Sequence, residues 1–239
     1  MSTPTFEVPR RRSTTYRNRR ARRACLVGPL ALVLLVSPAP IVAWAAFTDN
    51  MMPTTNWNKT CVDTTQYSGV SCQTDNSSTG WRAESSIDTT TAPNDTPAEE
   101  SINVTMANSY DGTDLDTYCD TTPVYSGSGE TDVVYRSKPS DFRADSFIGL
   151  TWCDDAVSAL RCDQQYVNFR DVNDTDRALA CHETGHTVGL LHGFDAFPRP
   201  NPNRDVANSD VRLNCMVTPR VRSLRFLDDN NVDNINSTY

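Results

Sequence analysis

The chain has 239 residues, with 22 Lys+Arg, 30 Asp+Glu, 8 Cys and only 3 His. At 38% hydrophobic residues and with one long apolar run, it is not a multi-span membrane protein, and its length suits one domain with an appendage. The formal charge of −8 is unevenly placed: residues 1–46 carry eight Arg against Glu7, which leaves 14 basic and 29 acidic residues, a net −15, for the remainder. A body this acidic repels phosphate and argues against nucleic acid as a partner.

The N-terminus reads as an export address. Arginines up to Arg23 precede the apolar run Ala24–Val36, then Pro38, Pro40 and the small residues Ala43 and Ala45. A basic region, a short apolar region, helix breakers and an A-x-A site make a signal peptide over 1–46, cleaved after Ala45 or Ala46. Arg22-Arg23 also permits twin-arginine export. The alternative is an uncleaved anchor, because residues 24–47 are apolar apart from Ser37 and long enough to span a bilayer. Only in that case is a membrane a partner, and either way the acidic body lies outside the cell.

Cysteine usage points the same way. Cys25 lies in the export segment, and seven cysteines remain, enough for three disulfides and one odd thiol. Cys61–Cys72 and Cys153–Cys162 are candidate local loops. The odd thiol is free, pairs between chains or blocks a metal site. Residues 47–100 are rich in Thr, Ser, Asn, Asp and Pro, and Asp88–Pro97 reads as a linker or exposed loop. This stretch is a propeptide, a loop-rich subdomain or a wall of the main domain, which itself spans 101–239. Six N-x-[ST] sequons are ascribed to the Asn, Ser and Thr content.

Beyond residue 100, strands are expected at Ile102–Met106, Val133–Tyr135, Phe147–Trp152 and Tyr166–Phe169. Asp174 or Thr175 can cap a helix running to about Val188, where Gly189 stops it, and a last helix is expected over Leu227–Ile235 with Asp228 near its start. Strands followed by helices predict an α+β domain.

The chemistry concentrates in Cys181-His-Glu-Thr-Gly-His-Thr-Val-Gly-Leu-Leu-His192. His182 and His186, four apart on a helix, point from one face and can share a metal ion. Glu183 is rotated about 100° from the first ligand and can face a bound water instead of the metal. Gly189 can turn the chain through a left-handed conformation and return His192 as the third ligand. Three imidazoles with an open fourth position form the catalytic arrangement for zinc. A lone histidine is usually an ordinary core or surface residue, but these three are all the histidines the chain has. A structural zinc site would need a fourth protein ligand, and none is apparent unless a cysteine supplies it.

The pattern HExxHxxGxxH, here His182, Glu183, His186, Gly189 and His192, resembles that of the metzincin zinc metallopeptidases. That group has a Met-containing turn beneath the metal, and Met216, 24 residues after His192, is placed for it. The resemblance covers about residues 100–239. It implies a zincin-like domain with a mixed twisted sheet, a zinc-binding active-site helix, the Met-turn and a C-terminal helix. It also implies one catalytic Zn2+, Glu183 as general base and a protein or peptide substrate. Similar small secreted bacterial proteins carry a Cys before the first zinc His and another before the turn Met, which implies a Cys181–Cys215 disulfide. The turn has no Tyr after Met216, so a fifth-ligand tyrosine is not implied. No cysteine-switch segment is present, although Cys61, Cys72 or Cys119 could act analogously.

As mechanism, a zinc-polarised water attacks a peptide carbonyl while Glu183 takes its proton and passes it to the leaving amine. An extended substrate adds to an exposed sheet edge, for which Phe147–Trp152 is the candidate. Asp171–Asp176 and Asp228–Asn231 are acidic enough to raise Ca2+ as a second ion, but helix capping explains both more simply. A catalytically idle zincin-like surface module and a zinc hydrolase acting on a non-protein substrate are the alternatives. Specificity and oligomeric state are left open.

Overall fold

The computed structural model describes residues 47–63, 71–88, 94–142 and 147–239. The proposed export segment 1–46, with Cys25, and residues 89–93 of the expected linker lie outside them. Strands β1 (Gln73–Thr74), β2 (Ser78–Ala83), β3 (Asp116–Cys119), β4 (Val133–Ser137), β5 (Gly149–Ala156) and β6 (Arg161–Phe169) join in one mixed sheet. Helices α1 (Pro97–Thr105), α2 (Arg177–Thr187), α3 (Arg204–Asn208) and α4 (Asp229–Asn236) complete the α+β architecture. Strands β6, β4, β2 and β3 run side by side in parallel. Strand β1 pairs in parallel with the start of β6, and β5 pairs antiparallel with β6 alone, along its other edge.

The alternating pleat sends successive side chains to opposite faces of the sheet. On one face, Val133, Tyr135, Val167 and Phe169 meet Ile102, Met106, Leu179 and Ala180 in the main core. Tyr135 Oη lies 2.8 Å from Thr184 Oγ1 and ties the sheet to α2. On the other face Trp152 and Tyr166 stack at 5.4 Å, and the Arg136 guanidinium sits 4.8 Å from the Trp152 ring centre. Arg136 also pairs with the buried Asp141 carboxylate at 3.1 Å.

Three of the four expected strands form: Val133–Tyr135 opens β4, Phe147–Trp152 overlaps β5 and Tyr166–Phe169 closes β6. The fourth does not. Ile102–Met106 belongs to α1 and the π-helical turn that follows it. Its alternation of apolar and polar residues is overridden by the signals upstream. Thr96 accepts from Glu99 N at 3.1 Å, Pro97 occupies the first helical turn, and Glu99 Oε2 accepts from Asp95 N at 2.7 Å. Thr96-Pro-Ala-Glu99 is thus a capping-box sequence, and Ala98, Ile102 and Met106 recur at helical spacing on the buried face.

A division at 100/101 has no counterpart in this fold. It falls inside α1, and residues before it supply β1 and β2, the latter between β4 and β3. Strands β1 and β2 thus belong to the same sheet as the later strands. The disulfides Cys61–Cys72, Cys153–Cys162 and Cys181–Cys215 all form, and Cys119 is free and exposed on the β3 edge. The first two gather with Met52 and Leu191 in a second buried cluster. No helix among the described residues is long and apolar enough to cross a membrane.

Candidate metal centre

Helix α2 carries the first two histidines and Glu183. Its N-cap is Asp176, one or two residues later than the sequence reading placed it: Asp176 Oδ1 accepts from Leu179 N at 3.0 Å, while Thr175 is occupied by Asp171 O. The helix is buried from Ala178 to Gly185, held between α1 and the sheet. Gly189 then takes φ +94°, a conformation that disfavours a side chain. A Cβ there would lie 2.9 Å from Gln73 Cγ and from Met51 Sδ, so the turn is also sterically closed. Backbone hydrogen bonds from Met52 N to Gly189 O (2.9 Å) and from Leu191 N to Asn50 O (2.7 Å) hold the turn from outside.

The turn brings His192 back to the other two histidines. Their ring centroids are 4.8 to 5.0 Å apart, and one ring nitrogen from each lies within 4.8 Å of the others. His182 Nδ1 is 2.7 Å from Cys215 O and His186 Nδ1 is 2.9 Å from Leu190 O. A carbonyl oxygen only accepts, so each Nδ1 carries the proton and each Nε2 presents a lone pair. Burial lowers the pKa of all three, to about 3 for His182, where His186 adds repulsion, so the rings are neutral as ligation requires.

The spacing also suits a small ion. Two nitrogens each about 2.05 Å from a tetrahedral zinc lie about 3.3 Å apart. His182 Nε2 and His192 Nε2 are 3.1 Å apart. The donor set can therefore hold a metal ion, and the geometry is compatible with zinc.

Met216 is fully buried against α2. A Cβ on Gly185 would collide with its sulfur and lie 3.0 Å from its methyl carbon, so the helix admits this side chain only because Gly185 has none. The Cys181–Cys215 disulfide joins α2 to the same turn, and the Cys215 carbonyl orients His182. Just beyond, Arg220 pairs with the helix cap Asp176 at 3.1 Å, and Arg222 pairs with both Asp174 and Asp176. Asp228 caps α4 through Asn231 N. Asp174, Asp176 and Asp228 of the two acidic segments raised for Ca2+ are thus engaged in capping and ion pairs.

A cleft of about 580 Å³ opens over the triad, with Phe147–Thr151 along one side and Thr218–Arg220 among its lining. Glu183 is 6% exposed here, and burial raises its carboxyl to about 7, opposed by a hydrogen bond from Thr151. Gly149 and Thr151, expected only as part of a substrate-binding edge, also stand beside Glu183, and two contributors were not legible at all: Trp57 in the cleft wall, and Ser71, whose Oγ is 3.1 Å from His186 Nδ1. Ser71 and Trp57 lie over 100 residues from His186, and no short motif links them to it. No protein-family model, curated protein or solved structure matches the chain.

Proposed function

We propose that the chain is an exported zinc-dependent endopeptidase of the metzincin type. The observation that carries this reading is the convergence of three neutral imidazoles with a buried carboxylate beside strand β5, whose one strand partner among the described residues is β6. A zinc ion held by His182, His186 and His192 would polarise the scissile carbonyl and acidify a water. Glu183 accepts the proton of the attacking water and delivers it to the leaving amine nitrogen. His182 and His186 keep their Nδ1 protons on Cys215 O and Leu190 O, which fixes ring orientation through turnover. Strand β5 has β6 as its one partner among the described residues, and its first residues line the cleft. An extended peptide can therefore pair with its free edge across the zinc position. Met216 supports the helix from below by packing. The arginine-rich, apolar N-terminus and three disulfides support export.

Zinc content measured with casein cleavage tests the reading. The expected result is one zinc per chain and cleavage abolished by a chelator. Zinc without cleavage of casein or a peptide panel would favour a binding module or a non-protein substrate, and absence of zinc binding would reject the centre itself.

A further inference from the structure

Glu183 is held in place by two residues of β5 that the zinc motif does not contain. The pleat of β5 turns Gly149 and Thr151 toward α2, as their register with Phe169 and Val167 on the core-facing side of β6 requires. Thr151 Oγ1 lies 2.8 Å from Glu183 Oε2 and 3.1 Å from Glu183 O. At Gly149 a Cβ would overlap Glu183 Oε1 and lie 2.7 Å from both Cδ and Cγ. The backbone of Gly149 is not in the left-handed region, so steric room for the carboxylate accounts for this glycine.

We propose that Thr151 and Gly149 are positioning residues for Glu183: the threonine hydroxyl fixes Oε2, and the absent glycine side chain makes room for the carboxylate, leaving Oε1 to exchange the proton. This deepens the hydrolytic reading above and rests on it. A glutamate side chain has three rotatable bonds, and a general base loses efficiency when it is ångströms from its proton. The same strand thus offers its outer edge to the cleft and its inward side chains to the base, so strand position and base position are mechanically one.

The test uses the zinc-loaded protein and a fluorogenic peptide. Thr151→Val, which keeps shape and removes the donor, is expected to lower kcat by about 10- to 100-fold with KM and zinc content within twofold of wild type. Thr151→Ser is expected to recover kcat to within about threefold, which a packing role for the threonine methyl would not produce. The three atoms nearest a Cβ at Gly149 all belong to the Glu183 side chain, so Gly149→Ala is expected to fold and to lose kcat similarly. A crystal structure of metal-free Gly149→Ala supplies a readout independent of activity, and it should show the carboxylate displaced from Thr151 with the β5 backbone unmoved. Wild-type kcat in Thr151→Val, a serine variant as impaired as the valine, or an unmoved carboxylate would each overturn the proposal. If the wild-type protein binds zinc and hydrolyses no peptide, the hydrolytic reading fails first and takes this inference with it.

Discussion

Two stretches of chain build the cleft by different means. The stretch from Arg177 to Met216 supplies the three histidines that could hold a metal ion and Glu183, and it is closed on itself by the Cys181–Cys215 disulfide. The stretch 47–83 supplies none of these among its described residues, yet it holds the turn that presents His192. Asn50 and Met52 bond to the backbone of Leu191 and Gly189, and Met51 with Gln73 walls in the turn glycine. The same stretch is anchored to the far end of the chain. Asn50 Nδ2 donates to Leu191 O and Asn231 Oδ1, while the amides of Asn230 and Asn234 donate to Asn50 Oδ1, all of them buried. The contrast separates the residues proposed to perform chemistry from those that hold their geometry. Asn50 and the α4 asparagines thus meet next to the turn that carries His192.

The covalent closure of the first stretch carries the largest expected stability effect. Replacing Cys181 and Cys215 together by Ala releases a loop with a sequence separation of 34, worth about 4 kcal/mol of chain entropy. Urea unfolding measures this. A cost below about 1 kcal/mol would mean that the helix and the Met216 turn hold together without the bridge. Next comes the polar anchor of the second stretch. Asn50→Ala leaves a buried carbonyl, an Asn231 oxygen and two amides short of partners, with an expected cost of about 3 kcal/mol. A near-neutral result would break the comparison, because residues 47–83 would then be an attachment instead of a support.

A third test is a pH dependence within the sheet. Burial raises Asp132 to about 7, against a hydrogen bond from Gly80 N, and Asp75 and Asp163 add repulsion. The folded state therefore binds this proton more tightly than the unfolded chain. Stability from Asp132 is full below about pH 4 and is lost as pH rises through about 7. Asp132→Asn keeps an acceptor for Gly80 N and cannot ionise, so its stability relative to wild type should climb between pH 4 and 7. Parallel melting curves over that range check it, and a constant difference would contradict the assignment.

What could be read in the sequence follows from how far apart the interacting residues are. His182, Glu183, His186, Gly189 and His192 lie within eleven positions, so one helical period and one glycine turn are enough to assemble them. Met216 and Cys215 needed the family resemblance, since nothing local ties a methionine to a helix 30 residues earlier. Of strand β6 only the end Tyr166–Phe169 is expected, whereas Ile102–Met106 alternates like a strand and is helical because Thr96, Pro97 and Glu99 set its start. Asn50, Ser71 and Thr151 act through hydrogen bonds spanning 141, 115 and 32 residues, and polar residues in a Thr/Asn-rich chain carry no periodic mark of such use. The polar texture that suggests a dispensable leader between 47 and 100 is, at Asn50 and Gln73, a buried network.

Substitution of Glu183 tests most directly whether it serves as base to an ion held by the three histidines. Glu183→Gln preserves side-chain shape and a hydrogen-bond acceptor for Thr151 while removing the capacity to take a proton. Zinc content and peptide turnover should be measured on the same preparation of wild type and variant. The account predicts equal zinc and a turnover loss on the order of 10²- to 10⁴-fold. Turnover within a few-fold of wild type at equal zinc content would contradict it.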